Sequence, residues 1–534
     1  MEVFEVVLAL LLAGAGLAAL ARRLGTPYPA LVALAGAALA LVPGMPTITL
    51  DPELALALFV APVLLDAAFD ASPRDLRANW RPVASLALGA VVLTVAAVAL
   101  VARALVPELP WAAAVALGAV VAPPDAAAAT AVLRQLRLPH RVLVILEGES
   151  LFNDASALLI YRLAVGAVAA GGLAGWRVVP TLLVVTVGSI VLALVLARAT
   201  LALTTRVNDV ATSVIVQFCT VFGVWLLAER LHLSGILTMV VYAMAVARRA
   251  SDVMPARLRI PSYAVWEVAV FVLNVLAFIL VGLQLRPIVA RLARAELADY
   301  ALVAAAVCAA TILARIAWVT GAAAFSRWWC RLHPDADPGA AEAVALSPSA
   351  AAVVAWCGMR GTVTLAAALA LPTGGGAPPF PFRDLILFTA FAVVLGTLVL
   401  QGMTLRPLMA RLQLGEDHEV DDEVRLARVE TLRAGAAALA GAPDHETAAL
   451  LRRRYELRLR RAEAALDGGR ADETDEPSRD ADVLRSALTA ERQRLLALRA
   501  DGTIGDDAFH RVEEELDRAE LDAESVLRAG SEAG

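Results

Sequence analysis

Long apolar runs separated by short polar loops fill the chain as far as residue 409. Because a helix needs ~20 apolar residues to cross the hydrocarbon of a bilayer, this pattern predicts an all-α polytopic membrane protein. We number the candidate spans 1 to 13 in chain order: residues 3–21, 28–43, 52–71, 82–105, 111–133, 142–170, 178–204, 211–228, 233–248, 262–284, 300–322, 350–372 and 384–409.

The pattern changes near Gly415. Beyond it, charged and apolar residues alternate with helical period, as in ETAALLRRRYELRLRRAEAAL. Residues 1–415 carry 28 arginines against 22 acids, whereas residues 416–534 carry 18 against 30. We therefore predict a transmembrane domain at 1–415 and an acidic helical domain at 416–534. The second domain has no catalytic or nucleotide motif, and no nucleic-acid partner is predicted.

Composition supports membrane insertion and limits the chemistry. The 534 residues are 59% hydrophobic and 18% charged, with a mean hydropathy of +0.70, which is outside the range of soluble domains. All 46 basic residues are arginine, whose guanidinium group does not deprotonate in proteins. A lysine-based proton switch is therefore excluded.

Arginine is distributed unequally between the two sets of loops. Loops after odd-numbered spans carry sixteen arginines and loops after even-numbered spans carry seven. Because cytoplasmic loops are enriched in basic residues, we predict that the N-terminus lies outside the plasma membrane and the C-terminal domain in the cytoplasm.

Spans 5 and 12 contain helix-breaking residues beside ionisable ones. Pro123 and Pro124 precede Asp125 in span 5, and Gly358 and Gly361 bracket Arg360 in span 12. Broken helices in corresponding positions of two halves indicate a transporter with inverted repeats and a substrate site at their interface. We therefore predict that both spans are broken. Simple kinks are the alternative.

The run EGESLFND in span 6 carries the most unusual polar residues of the chain. At ~100° per residue, Ser150 and Asp154 share one face of a helix, and Glu149 and Asn153 share the adjoining face. Together with carbonyl groups freed by the break in span 5, these oxygens suit a hard cation such as Na⁺ or Li⁺. Polar residues that only hold helices together are the alternative.

Asp154 has the chemistry needed for exchange. Burial favours the protonated form of a carboxylic acid, whereas a bound cation favours the carboxylate. If the protein reorients only when this site is occupied by a cation or a proton, the two ions must move in opposite directions.

Other ionisable residues within the spans need partners or access to water. We expect Arg315 to meet Glu149 or Asn153, and Arg360 to meet an acid near a helix break. Arg162 and Asp70 lie near helix ends and are expected to extend toward the interface. The remaining two are Asp66 and Glu267.

These motifs resemble the monovalent cation:proton antiporter family, which includes bacterial NhaP-type antiporters and animal sodium/hydrogen exchangers. The resemblance lies in APPDAAAAT, ending at Thr130, in EGESLFNDASAL (147–158), in Trp266-Glu267 with Asn274, Phe278 and Gly282, in Arg315, and in WCGMRGTVTLAAALALP (356–372).

The resemblance implies thirteen helices, crossed broken helices in a core domain, a dimerisation domain, and an elevator-like movement within a homodimer. It implies that Asp154 is the main ion and proton carboxylate and that Ser150 and Asp125 are further Na⁺ ligands. Glu149 would act nearby or through water. Asn153 matches the branch associated with electroneutral exchange, in which Arg315 replaces the lysine of electrogenic relatives.

Two departures from the family pattern bear on ion selectivity. Pro124 stands where many members have threonine, so only its backbone carbonyl can serve as a ligand. In span 3, Asp66 replaces a glutamate and has a shorter reach.

The sequence therefore predicts a secondary antiporter, not an enzyme, that exchanges Na⁺ or Li⁺ for H⁺ without a cofactor. K⁺/H⁺ exchange at the same site is the alternative. A channel would need repeated rings of ligands along a pore, and a hydrolase would need a Ser/His or Ser/Lys pair within the spans. Neither pattern is present in the sequence.

Overall fold

A computed structural model describes most of the chain. The described residues are 2–43, 52–125, 138–169, 178–290, 292, 296–332, 346–373, 379–412, 419–441, 446–466, 489–498, 512 and 515–518. Within these ranges the secondary structure is helical and contains no strand, which confirms the predicted all-α class.

Helices lie over every predicted span. Their bounds are Glu2–Leu24, Tyr28–Ala40, Pro52–Ala55 with Leu56–Val60 and Ala61–Asp70, Trp80–Ala84 with Ser85–Ala90 and Val91–Leu105, Trp111–Val121, His140–Ala169, Val178–Thr204, Val210–Arg230, Gly235–Val253, Ala256–Leu283, Glu296–Leu332, Pro348–Trp356 with Thr362–Leu369, and Arg383–Leu412. In the described part, seven helices are long and apolar enough to cross a bilayer unaided. The chain is thus a multi-pass membrane protein, and thirteen crossings stay a prediction.

Span 6 lies where three apolar clusters meet. Ile145 packs into a cluster built mainly from spans 1, 2, 10, 12 and 13. Ala157 packs into a second cluster formed with spans 4, 5, 11, 12 and 13. Leu151 packs into a third cluster formed with spans 3 and 7 to 10. Apolar residues around the helix therefore hold EGESLFND at the centre of the membrane domain, because each face of the helix buries its side chains against a different group of neighbours.

A wider helical turn within span 4 forms hydrogen bonds with spans 6 and 11. Residues Ser85–Ala90 form a π-helical segment, in which the backbone hydrogen bonds reach one residue further than in an α-helix. The hydroxyl of Ser156 donates a hydrogen bond of 2.6 Å to the carbonyl of Ala87 within this segment. On the same turn, the hydroxyl of Ser85 accepts a hydrogen bond of 3.1 Å from the indole of Trp318 in span 11.

The chain divides into two compact units, Met1–Glu416 and Asp417–Gly534. In the second unit, helices Glu419–Ala440 and Glu446–Leu466 pack together. Their shared core contains Val429, Leu432 and Ala462. Burial of one apolar stripe from each helix explains the charged and apolar alternation of the sequence.

Candidate cation and proton site

The breaks in spans 5 and 12 contact each other directly. The described helix of span 5 ends at Val121, and span 12 is interrupted between Trp356 and Thr362. The backbone N–H of Asp125 donates a hydrogen bond of 2.7 Å to the carbonyl of Met359. Two non-helical segments, the one after Val121 and the one that interrupts span 12, are thus in direct contact inside the protein. The rest of predicted span 5, residues 126–137, lies outside the described residues.

Asp125 occupies the N-terminal end of the second helix of span 12. Its Oδ2 accepts a hydrogen bond of 3.3 Å from the backbone N–H of Thr362, where the unpaired N–H groups of a helix favour a negative charge. A Cβ atom added to Gly361 would lie 1.4 Å from Asp125 Oδ2. The glycine is therefore required because a side chain at this position would overlap the carboxylate.

Arg360 binds the carbonyl groups exposed by the two breaks. Its guanidinium donates to the carbonyls of Val121 at 2.9 Å and Ala122 at 3.0 Å, and also to the carbonyl of Gly358. Among the described residues, its hydrogen bonds go to backbone oxygens and not, as we expected, to an acid. A buried cation at the carbonyl end of the span 5 helix neutralises the partial negative charge there.

Arg360 also limits which carbonyls of the span 5 break can face a cation. It binds those of Val121 and Ala122, whereas the prediction named the carbonyl of Pro124, and that prediction stands untested. The carbonyl of Pro124 instead accepts a hydrogen bond of 3.3 Å from Nδ2 of Asn153 in span 6. It is thus the break carbonyl that lies beside EGESLFND.

Glu149 and Arg315 form a buried, two-pronged ion pair. Their side chains are 1% and 2% exposed. One guanidinium nitrogen binds Oε1, and the other binds Oε2 at 2.8 Å. The structure therefore gives Arg315 one of the two partners expected from the sequence. Arg315 also donates to the carbonyl of Val354 at 2.9 Å and 3.2 Å, near the end of the first helix of span 12.

Three further side chains of span 6, on the two faces described above, carry oxygen atoms. Ser150, Asn153 and Asp154 are all buried. Oδ1 of Asn153 has no hydrogen-bond partner among the described residues, although a buried amide oxygen normally has one. Asp154 follows Asn153 in span 6 and Asp125 follows Pro124 at the break, so the hydrogen bond between Asn153 and Pro124 places both acids beside the same contact.

These atoms form a donor set suited to a monovalent metal cation. Spans 5 and 6 provide two carboxylates, a hydroxyl, an amide oxygen and a carbonyl, and all are hard oxygen ligands. The unsatisfied oxygen of Asn153 is the atom that most directly indicates room for a further partner.

Three other predicted residues lie on spans 3 and 10. Asp66 is partly buried, and Asp70 and Glu267 are exposed. A place for Asp66 in the ion site stays a prediction. Trp266 is buried, stacks on Phe218 with ring centroids 4.4 Å apart, and helps to join span 10 to span 8.

Two hydrogen-bond partners of the arginines were not predicted from the sequence. The hydroxyl of Thr397 accepts a hydrogen bond of 3.0 Å from the backbone N–H of Arg360. Arg162 binds both oxygens of Glu229 at 3.0 Å and 3.1 Å, whereas we expected it only to extend toward the interface. These partners lie 37 and 67 positions apart, so no local spacing signals them.

A family model described as "Sodium/hydrogen exchanger, transmembrane" matches residues 7–411. An uncharacterised Na⁺/H⁺ exchanger of Mycobacterium tuberculosis is 31% identical over 92% of this chain and 91% of its own length. A sodium, potassium, lithium and rubidium/H⁺ antiporter of Bacillus subtilis is 30% identical over 67% of this chain and 54% of its own length.

The fold is also similar to a solved structure. The sodium proton antiporter MjNhaP1 of Methanocaldococcus jannaschii superposes with a TM-score of 0.59 and 19% identity, over 78% of this chain and 99% of that one. At this identity, the match supports the fold of the membrane domain and not the details of its site.

Proposed function

Since this chain belongs to the sodium/hydrogen exchanger family, we propose that Na⁺ and H⁺ are exchanged by competing for the carboxylate of Asp154. The observation that carries the proposal is the set of buried oxygen ligands around Asp154. It includes the amide oxygen of Asn153, which has no hydrogen-bond partner among the described residues. A cation held by Asp154, Asp125 and Ser150 would keep Asp154 ionised, and protonation would remove the charge that holds the cation.

The balance of charges supports electroneutral exchange. Among the described residues, five ionisable side chains enter this balance: Asp125, Glu149, Asp154, Arg315 and Arg360. With all five ionised, they carry three negative and two positive charges, a net charge of −1. One bound Na⁺ or one bound H⁺ makes the site neutral, so both loaded states cross the low-dielectric core with the same charge. Glu149 takes no part in the exchange of ions because Arg315 binds both of its oxygens.

K⁺/H⁺ exchange is the second candidate, with the same residues in the same roles. The name of the Bacillus subtilis relative includes potassium, lithium and rubidium as well as sodium. The break in span 5 has Pro124 at the position next to Asp125, so a carbonyl is the available ligand there. Cation selectivity would follow from the spacing of the oxygens rather than from their chemical type.

The cellular setting follows from the sequence. We propose a location in the plasma membrane, with the N-terminus outside and the acidic helical domain in the cytoplasm, as the distribution of arginine indicates. We also propose a homodimer, on the basis of the family resemblance. We propose that the transported ions are its small-molecule partners and that transport needs no cofactor.

Transport in proteoliposomes tests the function. The full chain is reconstituted in vesicles with an acid interior, and Na⁺, Li⁺ or K⁺ is added outside while an internal dye reports pH. We expect Na⁺ or Li⁺ to dissipate the pH gradient. If the protein is instead a K⁺/H⁺ exchanger, K⁺ should dissipate it. No response to any of the three ions would refute antiport.

Two additions to this assay test the site and the stoichiometry. Asp154→Asn should abolish exchange, whereas the control Asp299→Asn, which alters an exposed acid at the start of the span 11 helix, should retain it. Setting the membrane potential to different values should leave the rate unchanged for a one-to-one exchange. A rate that follows the potential would contradict electroneutrality.

A further inference from the structure

A cavity of about 1440 Å³ lies between span 6 and spans 7 to 9, and we refer to it as the crevice. One wall includes Phe152 and Leu159 of span 6, and the facing wall includes Trp225, Leu237 and Val241 of spans 8 and 9. Neither Asp154 nor Asp125 is among its lining residues in the described part of the chain. Ala155 and Ser156, which follow Asp154 in span 6, do line the crevice, so it passes beside the candidate ion site without including these two acids.

The crevice is long, and its walls are mostly apolar. At one end, Leu76 lies against Gly148 of span 6, where an added Cβ atom would be 2.6 Å from the leucine. At the other end is Arg162, fourteen residues further along the same helix, or ~21 Å at 1.5 Å per residue. Such a length exceeds half of the ~30 Å hydrocarbon core, so the crevice has room for an acyl chain.

The two ends differ in charge. At the Arg162 end, the lining residues also include Glu229 and Arg230, and Glu229 binds Arg162 through both carboxylate oxygens. One acid therefore offsets one of the two arginines at this end. At the opposite end the crevice is lined by Arg77 and Arg248, and both residues are exposed. Glu229 is the single carboxylate among the described lining residues. The Arg77 end therefore presents two positive charges to the crevice without a lining acid.

An aromatic residue places the Arg77 end near the headgroup region. Trp80 lines this end and is 59% exposed, and the guanidinium of Arg81 lies 5.6 Å from the centre of its ring. Tryptophan and arginine together are typical of the boundary between hydrocarbon and water. In the proposed orientation this is the cytoplasmic leaflet, whose surface is negative when anionic lipids are present.

From this geometry we propose that the crevice binds one anionic phospholipid. The phosphate lies between Arg77 and Arg248, and an acyl chain lies between span 6 and the helices of spans 8 and 9. A soluble anion would leave the apolar walls unfilled. A zwitterionic lipid carries its own cation beside the phosphate, so it would gain less from two arginines. This proposal does not depend on the ion that is transported.

Lipid retention by the purified full chain tests the proposal. The protein is extracted in detergent, incubated with phosphatidylglycerol or phosphatidylcholine of equal chain length, and examined by native mass spectrometry. We expect the wild type to retain one phosphatidylglycerol and to retain phosphatidylcholine more weakly. The double variant Arg77→Gln/Arg248→Gln should bind phosphatidylglycerol about tenfold or more weakly, the effect of two cations near an anionic headgroup.

Two controls separate a site from general attraction. Arg206→Gln removes an exposed arginine that does not line the crevice, and it should leave retention unchanged. Ala245→Phe enlarges a side chain on the span 9 wall and should weaken lipid binding although both arginines remain. Thermal unfolding without added lipid shows whether each variant is folded, and the single variants Arg77→Gln and Arg248→Gln replace the double variant if it is not.

Equal retention of phosphatidylglycerol by the wild type and the arginine variants would overturn the proposal. Equal retention of the two lipids by the wild type would also overturn it. If soluble glycerol phosphate raised the unfolding temperature as much as phosphatidylglycerol does, an anion site without an acyl chain would replace the proposed lipid site.

Discussion

Arg315 and Glu149 are joined by two parallel hydrogen bonds although they lie 166 positions apart in the chain. The same guanidinium binds the carbonyl of Val354 in span 12. Arg315 of span 11 therefore connects span 6, which carries Asp154, to the first helix of span 12. The guanidinium of Arg315 thus holds together two of the helices that form the candidate ion site.

Removal of one partner from this pair should destabilise the protein more than removal of both. Glu149→Ala leaves a buried guanidinium without its carboxylate, which typically costs about 3–5 kcal/mol. Glu149→Leu combined with Arg315→Met should cost less, because neither charge then remains. Thermal unfolding in one detergent gives the comparison. Losses that simply add in the double variant would show that the two side chains do not stabilise each other.

Substitution of Gly361 should disrupt the ion site without affecting folding elsewhere. The Cβ atom of Gly361→Ala would overlap Asp125 Oδ2, so the carboxylate or the break must move, at a cost typical of overpacking. We expect the exchange rate to fall by about tenfold or more. Gly321→Ala is the matched control, because no atom lies within 4 Å of an added Cβ there. Similar rates for the two variants would contradict this role of Gly361.

Arg360 should not be replaceable by lysine. Its planar guanidinium reaches the carbonyls of Val121, Ala122 and Gly358 at the same time, and an ammonium group lacks this fixed geometry. Arg360→Lys should therefore lower both the unfolding temperature and the exchange rate, although the charge is kept. Wild-type behaviour of this variant would show that only the charge matters.

Asp75 should contribute stability at neutral pH and lose it in acid. It lies in the short helix Pro73–Ala78 between spans 3 and 4, and its Oδ2 is 3.2 Å from Nε2 of His140. Burial alone would raise the pKa of Asp75, but hydrogen bonds with Ser72 and His140 and the charges of His140 and Arg74 together lower it.

The sign of the pH dependence follows from this lowered pKa. Since the fold favours the ionised form, the stabilisation is present above the ordinary pKa of an aspartate, ~3.9, and is lost as pH falls through the folded-state value. Asp75→Asn should therefore lower stability at pH 7 by about 0.5–1 kcal/mol, a value limited by solvent screening. Unfolding temperatures measured from pH 7 to pH 3 should converge for the two proteins, and a constant difference would contradict the assignment.

The sequence was sufficient to predict the features that depend on local pattern. Apolar length located the helices, and Pro123, Pro124, Gly358 and Gly361 located the two breaks, because these residues act on the backbone nearest to them. The partner of Arg315 could be limited to Glu149 or Asn153, since a buried cation requires an acid or an amide at similar depth.

Contacts between distant backbone segments could not be predicted in the same way. The carbonyls bound by Arg360 belong to residues with apolar side chains, Val121 and Ala122, and nothing in those side chains identifies them as ligands. Glu229 lies at the end of its helix, where a solvated acid is the usual expectation, and its contact with Arg162 depends on how spans 6 and 8 pack. The crevice likewise results from packing and has no local sequence signal.

Competition between Na⁺ and H⁺ at Asp154 is the central claim, and proton release on Na⁺ binding tests it most directly. Na⁺ is titrated into the purified full chain in weak buffer, near the pH at which the unloaded site is protonated, and released protons are measured with a pH indicator. Binding should release about one proton per Na⁺, and Asp154→Asn should release none. Sodium binding without proton release in the wild type, or unchanged release from Asp154→Asn, would contradict the account.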